Sequence, residues 1–217
     1  MLPAAAEGAR GAAQLPRRHE ERRDRRGAGR GACALSGAGD VPRHARAADL
    51  RPIAAIEDSG VALFEQAFGD LTGDALASPA ERGRDRIDQP GFLLVVGEVG
   101  EPVGFAHVVY AEGLAHLAQL SVLPGRAREG LGSALVRAAM AEAWRDGFGS
   151  LSLTTYRDVA WNGPFYARLG FVEVGEDERF LRRQRDVERA LGLDRHGPRV
   201  VMRARLGRPT RRQVTGE

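Results

Sequence analysis

The sequence predicts an α/β (α+β) fold in which a mixed, mostly antiparallel central sheet is flanked by helices. Two apolar runs at 92–96 and 103–110 are separated by a turn-forming stretch with two glycines and a proline, which predicts a β-hairpin. Later apolar runs alternate with helical patterns, the strongest of which is the apolar stripe over 131–144. A hairpin followed by strands that helices separate is typical of a mixed sheet.

The remaining elements follow from the same periodicities, taken from the N-terminus onward. A helical pattern at 48–68, divided by Gly60, precedes a polar loop at 69–90 with at most one short helix. We expect Asn162 to cap the start of a short helix and Gly147 to end the helix at 131–144. Further strands are predicted at 114–122, 151–156, 171–174 and 199–206, and further helices at 162–169 and 176–191.

Charge is unevenly distributed, and this distribution divides the chain. All 32 basic residues are arginine, and residues 1–46 hold ten of them against five acids. The composition predicts a disordered Arg/Ala/Gly-rich extension at 1–40, one folded domain at 41–207 and a C-terminal tail at 208–217. Two interpretations of the extension are open. It is either a disordered, solvated segment, even an untranslated one, or a segment that binds nucleic acid. Acids interrupt its basic run and no aromatic residue accompanies it, which favours the first interpretation.

The composition excludes several classes of protein. Cys33 is the only cysteine, which excludes an internal disulfide and a cysteine-based zinc site. No apolar run approaches the about 20 residues of a membrane span, and the N-terminus lacks the apolar segment of a secretory signal. We therefore expect a cytoplasmic protein with no membrane partner and no metal.

The loop between the strand at 114–122 and the helix at 131–144 carries the informative chemistry. Its Gly-Leu-Gly-Ser run at 130–133 opens the helix, where the first backbone N–H groups lack internal partners and lie at the positive end of the helix dipole. Glycines let a diphosphate approach these groups, and two nearby arginines add positive charge. Gly-x-Gly occurs five times, but only this copy lies between a strand and a helix. A plain tight turn stays the alternative.

Two other phosphate-binding motifs fail. The chain has no lysine for a P-loop, and Leu135 occupies the third glycine position of a dinucleotide fingerprint. With Val122-Leu123-Pro124 before it, the loop instead resembles the Gln/Arg-x-x-Gly-x-Gly/Ala loop of the bacterial GNAT superfamily (GCN5-related N-acetyltransferases), although Ala127 stands at the Gln/Arg position. The stretch 162–171 is similar to a second motif of that family, with Tyr166 in register.

The resemblance covers about 41–206 and implies the GNAT fold with acetyl-CoA as co-substrate. The strand backbone before the loop would pair with the pantetheine arm, and the glycine-rich run would bind the diphosphate. Asn162 would contact the cofactor arm, cap its helix, or do both. The implied cofactor-binding residues are Leu120, Ser121, Val122, Arg126, Arg128, Gly130, Leu131, Gly132, Ser133 and Asn162.

Acetyl transfer needs a proton donor for the departing thiolate and a proton acceptor for the amine. Tyr166 matches the family tyrosine and is the candidate general acid; its alternative role is to anchor a short helix. Acids are common in the family at the positions of Ala118 and Gln119, so the nearest ionisable group, His116, becomes the candidate base. A structural role for His116, His107 on the preceding strand, and a water chain without a dedicated base are the alternatives.

These expectations combine into an acyltransferase that moves the acetyl group of acetyl-CoA to a primary amine of a small molecule or amino acid. The amine would attack directly in a ternary complex. A peptide or protein N-acetyltransferase, and a non-catalytic acyl-CoA-binding domain, are the alternatives. Acceptor recognition would fall to the N-terminal helices and the loop at 69–90, whose acids either attract a cationic amine or are simply solvated. The sequence leaves the acceptor's identity and a homodimer open.

Overall fold

The structure, a computed structural model, describes residues 38–207 and contains one open seven-stranded sheet. The strands are Arg43–His44 (β1), Gly91–Glu98 (β2), Glu101–Ala111 (β3), Leu114–Val122 (β4), Ser150–Tyr156 (β5), Val172–Val174 (β6) and Arg199–Arg205 (β7). Their order is β1-β2-β3-β4-β5-β7-β6, and every neighbouring pair is antiparallel except β4 and β5. The predicted mixed, mostly antiparallel sheet is confirmed.

Helices flank this sheet on both sides. The α-helices are Ile53–Asp58 (α1), Val61–Phe68 (α2), Gly83–Ile87 (α3), Leu131–Arg145 (α4), Gly163–Ala167 (α5) and Arg179–Ala190 (α6). Short 3-10 helices lie at Ala38–Asp40, Ala47–Asp49, Ala75–Ala77, Pro124–Arg126 and Leu193–His196. None of the helices in residues 38–207 is both long and apolar enough to cross a bilayer.

Every predicted helix and strand is present, and the differences concern element ends and one additional strand. The helical pattern at 48–68 forms two helices that separate at Gly60, and the first starts only at Ile53, after Pro52. The predicted helices at 162–169 and 176–191 are shorter at both ends. The two-residue β1 was not predicted, because so short a strand has no readable alternation. Residues 1–37, which include Cys33, and the tail at 208–217 lie outside the described residues.

The sheet has two differently covered faces, which we call the α4 face and the α1 face. On the α4 face, α4 contributes the buried Leu131, Leu135 and Val136 to the largest apolar cluster. Each such buried side chain contributes about 1.5–3 kcal/mol. On the α1 face, Ile53 and Ile56 pack on β2 and β3. Further along the α1 face, α6 and α2 cover β5.

The short helix α5 touches the end of β5 through its backbone. A Cβ atom built on Gly163 would lie 2.2 Å from the carbonyl oxygen of Arg157. Only glycine allows this approach, so Gly163 determines how close α5, which carries Tyr166, lies to the sheet.

We expect Gly163→Ala to lower the free energy of unfolding by about 1–3 kcal/mol, because the added methyl group must push α5 away from Arg157. Urea denaturation measures the change. Gly149→Ala is the matched control, since a Cβ there meets nothing within 4 Å. Equal stability of the two variants would contradict the close contact.

Candidate active site

The parallel strands β4 and β5 separate soon after they meet. Their pairing consists of Ala115 with Leu151 and His116 with Ser152, and within the described residues no later position of β4 pairs with β5. Both strands nevertheless continue to Val122 and Tyr156. They therefore enclose a wedge that widens toward their C-terminal ends, which we call the β4–β5 opening.

A bulge in β4 accompanies this separation. Leu117 lies opposite Val108 of β3, but the next paired residue of β4 is Gln119, opposite His107, so Ala118 is the extra residue. A bulge bends its strand and increases the local twist. It thus directs the second half of β4 away from β5 while the pairing with β3 continues.

The second half of β4 keeps one edge unpaired. Pairing with β3 satisfies the other edge as far as Val122. Leu120 and Val122 pack with the apolar cluster of the α4 face, whereas Ser121 points to the α1 face and accepts a hydrogen bond from Nε2 of Gln119 at 3.0 Å. The predicted positions Leu120, Ser121 and Val122 therefore all lie along the opening.

The start of α4 presents a row of unpaired backbone donors. The first intrahelical bond runs from the N–H of Ala134 to the carbonyl of Gly130 at 2.9 Å, and no side chain caps the helix. Within residues 38–207, no acceptor binds the N–H groups of 128–133. Gly130 has a φ of 82°, a left-handed conformation that suits glycine. Such a helix start attracts anions through its N–H groups and its dipole.

The two predicted arginines of the loop differ in their surroundings. Arg126 donates to Glu129 at 2.6 Å and to Asp40 at 3.0 Å, and these hydrogen bonds raise the pKa of its guanidinium. Arg128 is exposed, makes no ion pair within 38–207, and has a φ of 66°, which is strained for a residue with a side chain. Only Arg128 is thus available to an incoming anion without an exchange of partners.

Helix α5 brings its aromatic residues to the start of α4. A Cβ atom on Gly132 would lie 3.6 Å from Cζ of Phe165 and 4.0 Å from a methyl group of Val122, which are ordinary contact distances. The start of α4, the end of β4 and α5 therefore converge at one place. Glycine and alanine both fit at position 132.

Tyr166 lies at this convergence, with its ring in the apolar cluster of the α4 face. The ring makes edge contacts with Phe165 at 5.0 Å and Phe171 at 5.7 Å, and the residue is 9% exposed. Its hydroxyl makes no hydrogen bond to any described residue. Burial raises the pKa of the Tyr166 phenol well above its usual value, so the hydroxyl stays protonated at neutral pH.

Asn162 occupies the residue before α5, as predicted, but its side chain makes no capping hydrogen bond. Its φ of −117° and ψ of −106° differ from the extended conformation of a usual N-cap, which explains the missing bond. The residue is half-buried.

His116 lies apart from these groups. It is 1% exposed at the point where β4 and β5 are still paired, and its Nδ1 lies 3.0 Å from Oγ of Ser152. Phe180 of α6 covers the ring edge-on at 5.2 Å. Burial lowers the pKa of His116 to about 4, so the ring is neutral at physiological pH. The structure brings Tyr166 and the cofactor-loop residues together and leaves His116 behind the closed end of the wedge.

A buried polar cluster on the α1 face was missed by the sequence analysis. Arg86 of α3 donates to Glu57 of α1 at 2.5 Å, lies 5.3 Å above the ring of Phe105, and approaches His107. The pattern at 69–90 indicates a solvated loop, and periodicity does not show that Arg86 folds inward. The one available signal is His107, a polar residue in the middle of an apolar strand.

Aromatic residues surround the end of β5 on the α1 face. Phe64 of α2 lies 6.2 Å from the ring of Tyr156 and 6.3 Å from the ring of Trp161. Trp161 precedes Asn162 and is 42% exposed. An exposed indole at the wide end of the opening offers a flat apolar surface and a negative ring face for a cation.

Comparisons with known proteins agree with this geometry. A family model described as Acetyltransferase (GNAT) family matches residues 58–171. The fold resembles an N-acetylglutamate synthase from Neisseria gonorrhoeae, solved with coenzyme A and N-acetyl-glutamate (24% identity, 77% of this chain and 35% of that one, TM-score 0.55). It also resembles a GCN5-related N-acetyltransferase from Rhodopseudomonas palustris (20% identity, 80% and 100%, TM-score 0.56). A third similar fold is the ribosomal-protein-S18-alanine N-acetyltransferase of Escherichia coli (18% identity, 79% and 97%, TM-score 0.51).

These three structures share the fold at low identity. The chain spans about a third of the length of the Neisseria protein. Within residues 38–207, no three His, Cys, Asp or Glu side chains come together as a potential metal site.

We expect Asp40→Asn to tighten the binding of coenzyme A, because Arg126 would then have one carboxylate partner, Glu129, instead of two to exchange for a phosphate. Surface ion pairs contribute about 0.2–1 kcal/mol, so the Kd should fall by up to about fivefold. Isothermal titration calorimetry measures it. Asp186→Asn is the control, since it makes the same charge change in an exposed ion pair with Arg189 on α6. The same Kd in both variants would show that Asp40 does not compete for the loop.

Proposed function

The chain belongs to the Acetyltransferase (GNAT) family, so its domain is that of an acyltransferase, and we propose that it transfers the acetyl group of acetyl-CoA to a primary amine of a small molecule or amino acid. The amine attacks the thioester directly in a ternary complex. The observation that carries the proposal is the continuity between the unpaired edge of β4 and the unpaired N–H groups at the start of α4.

The cofactor would occupy this continuous surface. Pantetheine carries amide groups, and the backbone of Leu120 and Val122, on either side of Ser121, would pair with them as it would with an added strand, since Ser121 pairs with Phe105 of β3. The diphosphate would then reach the N–H groups of 128–133 and the positive end of the α4 dipole. Arg128 would contact the diphosphate directly, whereas Arg126 would first have to break its ion pair with Asp40. Asn162, without a capping bond, has its amide available for the pantetheine arm.

Tyr166 would donate its hydroxyl proton toward the departing sulfur. Its raised pKa favours a strong hydrogen bond to the developing thiolate over release of the proton to solvent. The hydroxyl has no competing partner within the described residues, and it belongs to a ring fixed by Phe165 and Phe171. A fixed donor of this kind stabilises charge that develops in the transition state. The backbone N–H of Leu120 or Val122 would stabilise the oxyanion.

Proton removal from the amine falls, in this proposal, to water. His116 is neutral, bonded to Ser152 and covered by Phe180, which supports a structural role in place of the base role that the sequence predicts. No carboxylate lies on β4. An acceptor amine that enters from the α1 face would meet Gln119 and Ser121 first.

A small acceptor fits the surroundings of the opening on the α1 face. Helices α1, α2 and α6 all pack on this face, which restricts access. Trp161 supplies an exposed aromatic surface there, and the exposed Glu65 and Asp158 add negative charge nearby in the chain. Aromatic rings and carboxylates together attract an ammonium ion.

The direct test uses the purified full chain, acetyl-CoA and a panel of primary amines, amino acids and peptides, with release of the coenzyme A thiol as readout. We expect binding of acetyl-CoA by calorimetry and turnover of at least one small amine. Turnover of peptides alone would indicate that the acceptor is a protein N-terminus and not a small molecule. Binding without any turnover would favour a non-catalytic domain, and absence of binding would contradict the proposed site.

Tyr166→Phe should lower kcat by about 10²–10⁴-fold, the range for loss of a general acid, with an unchanged Kd for acetyl-CoA. The control is Tyr110→Phe, a half-buried tyrosine in the same apolar cluster, whose hydroxyl bonds to Asp146 at the far end of α4. Steady-state thiol release gives kcat for both. Full activity of the Tyr166 variant would remove its proposed role.

Trp161→Ala should raise the KM of the amine by about two- to thirtyfold, since a cation–π contact contributes about 0.5–2 kcal/mol. The KM of acetyl-CoA should stay within about twofold, because the indole lies on the acceptor side. Trp144→Ala is the control, as Trp144 is similarly exposed (37%) but on α4. A matching change in both variants would mean that Trp161 does not bind the acceptor.

A further inference from the structure

Helix α2 lies over the end of β5 without entering the core. None of its residues, Val61–Phe68, is buried. By contrast, α1 before it contributes the buried Ile53 and Ile56, and the segment after it contributes the buried Leu71 and Leu76. The helix is therefore held between two anchored segments, and a shorter side chain on it would leave no cavity in the core.

Two phenylalanines attach α2 to the rings beneath it. Phe64 and Phe68 lie one turn apart and share a face of the helix. The ring centroid of Phe68 lies 5.2 Å from that of Tyr156 and 4.8 Å from that of His196, on which it stacks. Phe64 lies 6.2 Å from Tyr156 and makes an edge contact with Trp161 at 6.3 Å. Among the described residues, Phe64 thus contacts Trp161 and Phe68 does not.

Tyr156 gives these rings a fixed support. It is 1% exposed, and its hydroxyl donates to the carbonyl oxygen of Leu193 at 3.0 Å. The guanidinium carbon of Arg199 lies 4.6 Å from the centre of the Tyr156 ring. Because this ring is held from several sides, Phe64 cannot move further toward the sheet and stays beside the exposed Trp161.

Phe64 covers part of the wide end of the β4–β5 opening on the α1 face. Tyr156 is the last residue of β5, and Trp161 stands immediately before Asn162, the residue that precedes α5. A ring that contacts both therefore lies over the gap between the end of the strand and α5. An amine that binds against the exposed part of the indole would meet Phe64 as its wall on the α2 side.

We propose that Phe64 is a specificity-determining residue that restricts the acceptor to compact primary amines, an inference that rests on the proposed acetyl transfer and on the proposed role of Trp161. The phenyl ring fills the space beside the indole, so the carbon chain next to the reacting nitrogen has room for small substituents only. One methylene group in an apolar pocket changes kcat/KM by about 10–200-fold. Phe64 responds to the size of the acceptor, whereas Trp161 responds to its charge.

Phe64→Ala in the full chain is the direct test, because α2 has no buried residue whose packing the change would disturb. The two substrates are the smallest amine that the wild type turns over and the same amine with an added cyclohexyl group. Thiol release gives kcat/KM for each. We expect the ratio of kcat/KM, bulky amine to small amine, to rise about tenfold or more. The Kd of acetyl-CoA should stay unchanged, since the ring lies on the acceptor side.

Phe68→Ala is the matched control. It removes the same ring from the same helix one turn later, where the partners are Tyr156 and His196. The ratio should stay at the wild-type value, although both variants weaken the attachment of α2. An equal rise in both variants would mean that any loosening of α2 admits bulkier amines, which overturns the assignment to Phe64.

The remaining outcomes separate this proposal from the proposed function. An unchanged ratio in Phe64→Ala, with the small amine still turned over, overturns the proposal. If the melting curve shows that Phe64→Ala does not fold, Phe64→Leu decides by the same ratio: a rise supports the proposal and an unchanged ratio overturns it. Absence of turnover by the wild type with every amine would refute the acetyl transfer itself and this inference with it.

Discussion

The short parallel contact between β4 and β5 is the constraint on which the rest of the structure depends. Two residue pairs hold the strands together, and the bulge at Ala118 then separates them. Separation leaves backbone polar groups of β4 unpaired, at a cost that a closed sheet would avoid. Apolar packing of α4 on one face and of α1 and α6 on the other supports the strands where hydrogen bonds do not.

The opening also determines which groups of the neighbouring elements lie next to the unpaired edge of β4. Helix α4 starts where β4 ends, so its unpaired N–H groups continue the unpaired strand edge. Gly163 allows α5 to approach the end of β5, and Phe165 of α5, which contacts Tyr166, lies against the start of α4. The proposed cofactor site would not exist if β4 and β5 remained paired along their length.

Two buried histidines on the same face show how environment separates similar residues. Burial lowers the pKa of both to about 4. Nδ1 of His116 bonds to Ser152 where the sheet is closed, so this nitrogen serves the fold. His107 keeps an unpaired nitrogen next to the bulge, where the sheet begins to open. Position relative to the closed part of the sheet, and not burial or pKa, distinguishes them.

The helices and strands could be predicted from local sequence patterns. The long-range contacts between them could not. The apolar stripe of α4 and the glycines at its start are readable because they repeat within a few residues. The contact of Arg126 with Asp40 joins residues 86 positions apart, and no local pattern encodes it. The inward turn of Arg86 depends on Glu57, 29 positions away. The register that separates His107 from His116 likewise exists only after β3 and β4 have paired.

Amide hydrogen exchange of the full chain, with and without acetyl-CoA, shows whether the cofactor binds along the unpaired edge of β4 and the start of α4. The cofactor should slow exchange at Leu120, at Val122 and at the N–H groups of 128–133, while the paired strands β2 and β3 stay unchanged. Protection elsewhere, with these two segments still exchanging freely in the bound state, would contradict the proposed cofactor site.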